Sequence, residues 1–595
     1  MLASALGVVI VSVVAGILSL VAMISMVLSL NSLSKSDAVV VRPGTYLTVD
    51  LDHVRGDRTG SGLRQSFSTE KSVGLLDAVE AIRAASDDAN VCGLLLKGDG
   101  SMSWASLEEL RAAVAEFSSG GKPVVSYATS YSQGGYYLCS LADSVCLHPA
   151  GMLDFRGLGG QVLYYKDLLD KLGVEMQLIR PESCSYKSAG EVYTLNRMSD
   201  ANREQIRAYL SSVWRTAVGD ISTSRDIPTA DLNAIADNLD GCLADDALKV
   251  NLVDKLCFEE DVRHMLKTER FGGRHMMPLE KYAKNIKVKS QARSRADRIA
   301  VIYAEGNVMD GSSKGMDEGV YGDDIVKALR KAGNDDDVKA IVLRVNSPGG
   351  QATASESMTH AVMEARSKKP VIVSMGDLAA SAGYEMSCMA DVIVAQPMTI
   401  TGSIGVFGTI PNVGKMMSKK LGINADTVAT NRNATGLSVL RPLSPAAMAM
   451  MTRNVEEFYK VFVGRVSEGR HMTYDAVHQV ARGRVWTGAD AVGIGLVDTL
   501  GGFDLAVRIA AERAGIDTWS IKEYPEEKDV WAQLSEMFGD DESDFDLAAR
   551  FRLAMLWRTA KRGEAALPSR IDSEIGYITT AEGVQARMPF FMIED

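Results

Sequence analysis

Residues 369–391 read KPVIVSMGDLAASAGYEMSCMAD, and residues 122–143 read KPVVSYATSYSQGGYYLCSLAD. The offset is 247 positions at Lys122/Lys369 and 248 at Gly135/Gly383. Upstream of each stretch lies another matched run, NVCGLLLKGDG from Asn90 and DVKAIVLRVNSPGG from Asp337. Short runs rich in Val, Ile and Leu, closed by turn residues, mark buried parallel strands. The stretches before them, Leu75 to Ala85 and Ile325 to Ala332, carry helical spacing of apolar residues. A constant offset held over roughly 50 residues is the mark of duplication, and the period is too long for a solenoid. The expected architecture is therefore two tandem α/β domains with parallel sheets. The first spans residues 43–280 and the second 299–515, with a basic linker at 281–298 and an extension at 516–595.

The rest of the composition narrows the function classes. The chain has 595 residues and a formal charge of −12, which argues against a general nucleic-acid binder. Its 7 cysteines form no Cys-x-x-Cys pair, and the 7 histidines lack ligand spacing, so neither a disulfide framework nor a metal site is signalled. The phosphate-binding motif Gly-x-x-x-x-Gly-Lys-Ser/Thr is absent. Residues 1–34 hold no charged side chain, and Leu2 to Leu30 is almost wholly apolar. About 20 such residues cross a bilayer as a helix, so an uncleaved N-terminal membrane anchor is expected. Lys35, Arg42 and Arg55 come after the apolar run, a local pattern that favours holding the downstream chain on the cytoplasmic side.

Three segments of the second copy are built like a site. Asn346-Ser347-Pro348-Gly349-Gly350 follows a strand and lets backbone N–H groups approach a ligand. Gly376 to Tyr384 places Ser381 among small residues at a strand-to-helix junction. A serine there either caps the helix or presents a hydroxyl where amide N–H groups favour developing negative charge. Thr401-Gly402-Ser403-Ile404-Gly405 is a second glycine-bracketed serine. No histidine lies in these segments. A lysine serves as general base when burial lowers its pKa, and Lys187, within Ser183 to Gly190, stands among small residues. In the first copy Gln133 occupies the position of Ser381, while in the second the position of Lys187 falls near Asn433 to Gly436, where there is no lysine. Each copy keeps one half of a Ser/Lys pair, which points to a dyad assembled across the two.

Taken together and in this order, the duplicated units, the apolar N-terminus, NSPGG, ASAGY, TGSIG and SYKSA resemble the signal peptide peptidase A (protease IV) family in its long bacterial form. The resemblance covers nearly the whole chain and is weakest after residue 515. It implies tandem crotonase/Clp-protease-like domains with an N-terminal transmembrane helix, and a membrane-anchored serine endopeptidase acting on remnant signal peptides and unfolded segments. It assigns Ser381 as nucleophile, Lys187 as general base and Ser403 as the hydroxyl that orients the lysine. The N–H groups of Gly350 and Ala382 become the oxyanion hole, Ala382 standing where the family often has glycine. It also implies no cofactor or metal, a homotetramer, and attachment to the bacterial inner membrane with the catalytic part in the periplasm, against the local charge pattern. The rival classes are an acyl-CoA crotonase enzyme, which needs the oxyanion glycines but no serine, and a non-catalytic membrane scaffold.

Overall fold

The computed structural model describes residues 40–59, 72–268, 271–291, 297–313, 319–525 and 585–587. The anchor expected at residues 1–34 lies outside them, as does most of the C-terminal extension.

The first unit is a six-stranded parallel sheet in the spatial order Lys255–Leu256, Ser144–Leu147, Val124–Ala128, Val91–Lys97, Thr45–Asp50, His275–Pro278. The second repeats this order strand for strand: Thr499–Leu500, Val392–Ala395, Val371–Ala380, Val338–Ser347, Asp297–Glu305, Trp519–Tyr524, again all parallel. The central runs Leu94 to Leu96 and Ile341 to Leu343 are fully buried, as strands covered on both faces must be. The flanking helices are amphipathic. In Gly322–Asn334, Ile325, Ala328, Leu329 and Ala332 form the inward stripe.

The second unit adds two features. Its Val371–Ala380 strand is twice as long as the matching Val124–Ala128 strand, at 10 residues against 5. The extra part, Leu378 to Ala380, pairs with Ile400–Gly402, which pairs antiparallel with Val485–Thr487. Among the described residues, the first unit keeps isolated bridges at this place, Tyr131 to Leu153 parallel and Met152 to Leu243 antiparallel. The stretch Gly376 to Ala380, expected at a strand-to-helix junction, is thus strand, because the Ile400–Gly402 neighbour supplies ladder partners that small residues alone do not call for.

Two sequence boundaries are corrected. The basic stretch expected as a linker at 281–298 is helical through residue 291. Leu279–Gln291 is a helix whose Leu279, Tyr282 and Ala283 sit in the first unit's core while Lys281 and Lys284 face water, and Asp297–Glu305 is already the second sheet. Lysines at helical spacing mimic a linker when only charge is counted. The second unit also continues past residue 515, since Trp519–Tyr524 adds a parallel strand beside Asp297–Glu305.

The two units interlock. Glu175–Ile179 of the first pairs antiparallel with Gly408–Asn412 of the second. Ile179 and Cys184 belong to the second unit's hydrophobic core. Arg344, buried in the middle of the second sheet, pairs with two first-unit carboxylates, Asp57 at 2.9 Å and Glu109 at 3.0 Å. The helix that carries Glu109 also brings Ser106, whose N–H and hydroxyl donate to Asp377, and Glu108, which accepts from the Met398 N–H.

Candidate active site

Ser381 ends the Val371–Ala380 strand and precedes the short helix Ala382–Glu385. Its φ is 57°, unusual for a residue with a Cβ, and such a turn costs on the order of 1–3 kcal/mol. Two backbone hydrogen bonds hold it: the Ser381 N–H donates to Gly402 O and the Glu385 N–H to Ser381 O, both at 2.8 Å. Tyr384 anchors the helix by donating from its hydroxyl to Leu496 O. The Ser381 side chain makes no cap hydrogen bond, so the capping alternative for this serine falls. In the first unit, where Gln133 matches Ser381, the residue before it, Ser132, takes an ordinary extended backbone and accepts from the Gly135 N–H, a true cap.

Lys187 arrives from the loop after Glu175–Ile179 and is completely buried. Its Nζ lies 2.7 Å from Ser381 Oγ, 2.9 Å from Ser403 O and 3.0 Å from Ser403 Oγ. The loop is clamped by the second unit. Tyr186 N–H donates to Arg482 O, and the Arg482 guanidinium donates to Ser183 O and Ser185 Oγ. Gly483, at φ +82°, passes so close that a Cβ there would meet the Lys187 backbone N at 2.5 Å. This clamp is a functional element that sequence reasoning missed; the Gly in Ala481-Arg482-Gly483-Arg484 was its only trace.

Burial is the main force on the amine. It lowers the Lys187 pKa from 10.5 to about 7, opposed weakly by Cys184 and Glu385. Near neutrality the amine therefore sheds its charge. A neutral amine has two N–H donors and one lone pair. The donors fit Ser403 O and Ser403 Oγ, which leaves the lone pair for the Ser381 hydroxyl. The Ser403 hydroxyl is in turn 3.5 Å from Gly483 O. Ser403 also has a positive φ, of 50°, held by its N–H to Arg484 O.

Gly350 and Ala382 are the residues whose N–H groups are expected to form the oxyanion hole. Gly350 lies in the strand Gly349–Gln351, between Val308 of Val308–Met309 and Ala586 of Gln585–Arg587. A Cβ on Gly350 would come within 2.0 Å of Val308 O, so the approach admits glycine alone. Ala382 is buried at the start of the short helix. The antiparallel Gln585–Arg587 strand covers the outer edge of Gly349–Gln351. It was not anticipated, because three polar and small residues in a C-terminal tail carry no pattern that names a partner. In the second unit, Asn433 to Gly436, the place matching Lys187, lies in a largely exposed turn.

Comparison with known proteins bears on this arrangement. A model of peptidase family S49 matches residues 116–270 and again 363–517, once in each unit. The chain is 40% identical to "Protease 4" of Salmonella typhi over 77% of its own length and 74% of that protein. It is 34% identical to "Protease 4" of Haemophilus influenzae over 83% of each chain. It is 30% identical to "Serine protease SPPA, chloroplastic" of Arabidopsis thaliana over 80% of this chain and 70% of that one. With a twice-matched family model and relatives that span most of both chains, the chain belongs to peptidase family S49 and is a serine protease of the protease 4 type.

Proposed function

We propose that the chain hydrolyses peptide bonds through a Ser/Lys dyad shared between its two units. The observation that carries this reading is the 2.7 Å approach of a buried amine from the first unit to a buried hydroxyl from the second. Neutral Lys187 takes the Ser381 proton as the hydroxyl attacks the scissile carbonyl. The N–H groups of Gly350 and Ala382 receive the oxyanion. The protonated amine, oriented by Ser403, passes its proton to the leaving amine. Water then enters and gives a proton to Lys187 as it attacks the ester carbonyl, and the acid leaves as Lys187 returns that proton to Ser381 Oγ. Neither acyl-CoA chemistry nor a scaffold has use for a dry, uncharged amine set against a serine.

The substrates are remnant signal peptides and other unfolded segments, which can thread as extended strands along Gly349–Gln351. The apolar run at 1–34 attaches the enzyme to the bacterial inner membrane with both units in the periplasm, as a homotetramer. This reading rests on the family relation and on the 29-residue apolar run from Leu2 to Leu30. The test is digestion of a signal-peptide-like apolar peptide and of a folded protein by the full chain in detergent micelles, beside Ser381→Ala. Cleavage of the peptide alone, lost in the variant, is expected. Equal cleavage of the folded protein would refute the substrate class.

The Gln585–Arg587 strand sits where such a substrate would pair. Ending the chain at residue 584 is therefore expected to lower KM for short unfolded peptides with little change in kcat. Steady-state kinetics on the two chains check this, and an unchanged KM would show that the strand does not compete.

A further inference from the structure

A buried carboxyl beside the dyad has no part in the hydrolytic steps proposed for Ser381 and Lys187. Glu385 lies one helical turn after Ser381, is 3% exposed, and sits on the same short helix as Ala382. Its Oε2 accepts from Ser355 Oγ at 2.5 Å. The same Ser355 oxygen is 3.3 Å from Ala382 O. Ser355 is fully buried, on the helix Ala352–Arg366 that follows Gly349–Gln351 directly. One hydroxyl thus touches both the carboxyl and the carbonyl of Ala382, the residue after the serine, and it joins the two elements that carry the oxyanion donors.

A hydroxyl has a single proton to give. We propose that Glu385 and Ser355 form a proton-gated relay that sets the position of Ala382 through its carbonyl, with Glu385 as a positioning residue that supports catalysis only while its carboxyl is protonated. In the protonated state the carboxyl O–H donates to Ser355 Oγ, and the Ser355 proton is free for Ala382 O. When the carboxyl loses its proton to solvent, the Ser355 hydroxyl turns to the carboxylate, and Ala382 O is left without that donor. The turn that aims the Ala382 N–H then loses a tie. A negative charge also appears beside the place where the oxyanion forms, and beside Lys187, whose proton it helps retain. All three effects slow the reaction, so they act in one direction.

The surroundings favour the protonated form near neutrality. Burial raises the Glu385 pKa to about 8, with Glu356 adding to the rise. The Ser355 bond, Arg465 and Lys187 act the other way. The charged groups that face the carboxyl are thus Glu356 on the Ser355 helix, Arg465 on Pro445–Gly469 and Lys187 from the first unit, with the Cys388 thiol behind. Arg465 is engaged by Glu356, so it does not neutralise Glu385 by itself.

The relay rests on the dyad reading, and its test separates the two. The measurement is kcat against pH, from 5 to 10, for the full chain and for Glu385→Gln, Ser355→Ala and Ser381→Ala. The wild type is expected to give a bell, rising as Lys187 is freed and falling as Glu385 ionises. Glu385→Gln keeps a donor to Ser355 at every pH, so its rising limb remains and its falling limb disappears. One pH unit above the wild-type fall, the variant should exceed the wild type by up to about tenfold. Ser355→Ala is expected to lower kcat more than it changes KM. A wild-type profile that stays flat to pH 10, or a falling limb that survives in Glu385→Gln, overturns the relay and leaves the dyad intact. Full cleavage by Ser381→Ala would instead overturn the dyad. Should Glu385→Gln fail to fold, infrared spectra of Ser381→Ala decide. A protonated carboxyl band at pH 7 that fades at alkaline pH and is absent from Ser381→Ala/Glu385→Asn supports the relay; no such band at pH 7 overturns it.

Discussion

Replacing Lys187 with methionine is expected to lower the rate of peptide cleavage by between roughly 10³ and 10⁶. The loss should appear in kcat, because the amine acts on the proton transfer and makes no binding contact of its own. Methionine has about the same length and no charge, so it can fill the same dry pocket. Burial moves the amine from 10.5 to about 7. A depressed lysine pKa weakens the fold at pH values below the unfolded pKa, and the penalty is complete below the folded one. The variant should therefore melt no lower than the wild type at pH 7. Kinetics paired with thermal melting check both halves. Ser381→Ala should match the loss, and the double variant should be no worse than either single one, since the two groups act as a unit.

The second large effect concerns the join between the units. Arg344→Met is expected to destabilise the chain by about 3–5 kcal/mol. The guanidinium is 1% exposed, and its removal strands Asp57 and Glu109, 2% and 5% exposed, without a countercharge. It also gives up a hydrogen bond to Ser374 Oγ, on the strand that leads to Ser381. By contrast Lys166→Ala breaks only an exposed i,i+4 pair with Asp170, and should leave the unfolding midpoint nearly unchanged. Urea unfolding of the three proteins makes the comparison. Adding Asp57→Asn and Glu109→Gln to Arg344→Met should return part of the loss, because the penalty lies in the unpaired charges.

Much of this was legible in the residues. The two matched Lys-Pro stretches carry the duplication, and the strand order of the two sheets repeats accordingly. The complementary losses at Gln133 and at Asn433 to Gly436 pointed to Lys187 and Ser381, which the structure brings within 2.7 Å. What escaped notice depends on contacts far apart in the chain. Gly376 to Ala380 has weak strand propensity and becomes strand through its neighbours Ile400–Gly402 and Val338–Ser347. The lysines of 281–298 hid the apolar stripe of Leu279, Tyr282 and Ala283. Arg344 carries no signal of its role in the sequence, because its carboxylates come from the other unit, 287 and 235 positions away. Glu385 stood in plain view as the single carboxylate between Ser381 and Cys388, but only Ser355 on a neighbouring helix gives it a role.

The account turns on an uncharged amine from one copy activating a hydroxyl from the other. The most direct measurement is the rate at which a fluorophosphonate probe labels Ser381, followed by mass spectrometry across pH in the wild type and in Lys187→Met. Labelling in the wild type should rise with pH around a midpoint of about 7, the pKa that burial gives Lys187, and should stay low at every pH in the variant. Equal labelling of the two proteins, or attachment of the probe at a serine other than Ser381, would contradict the account.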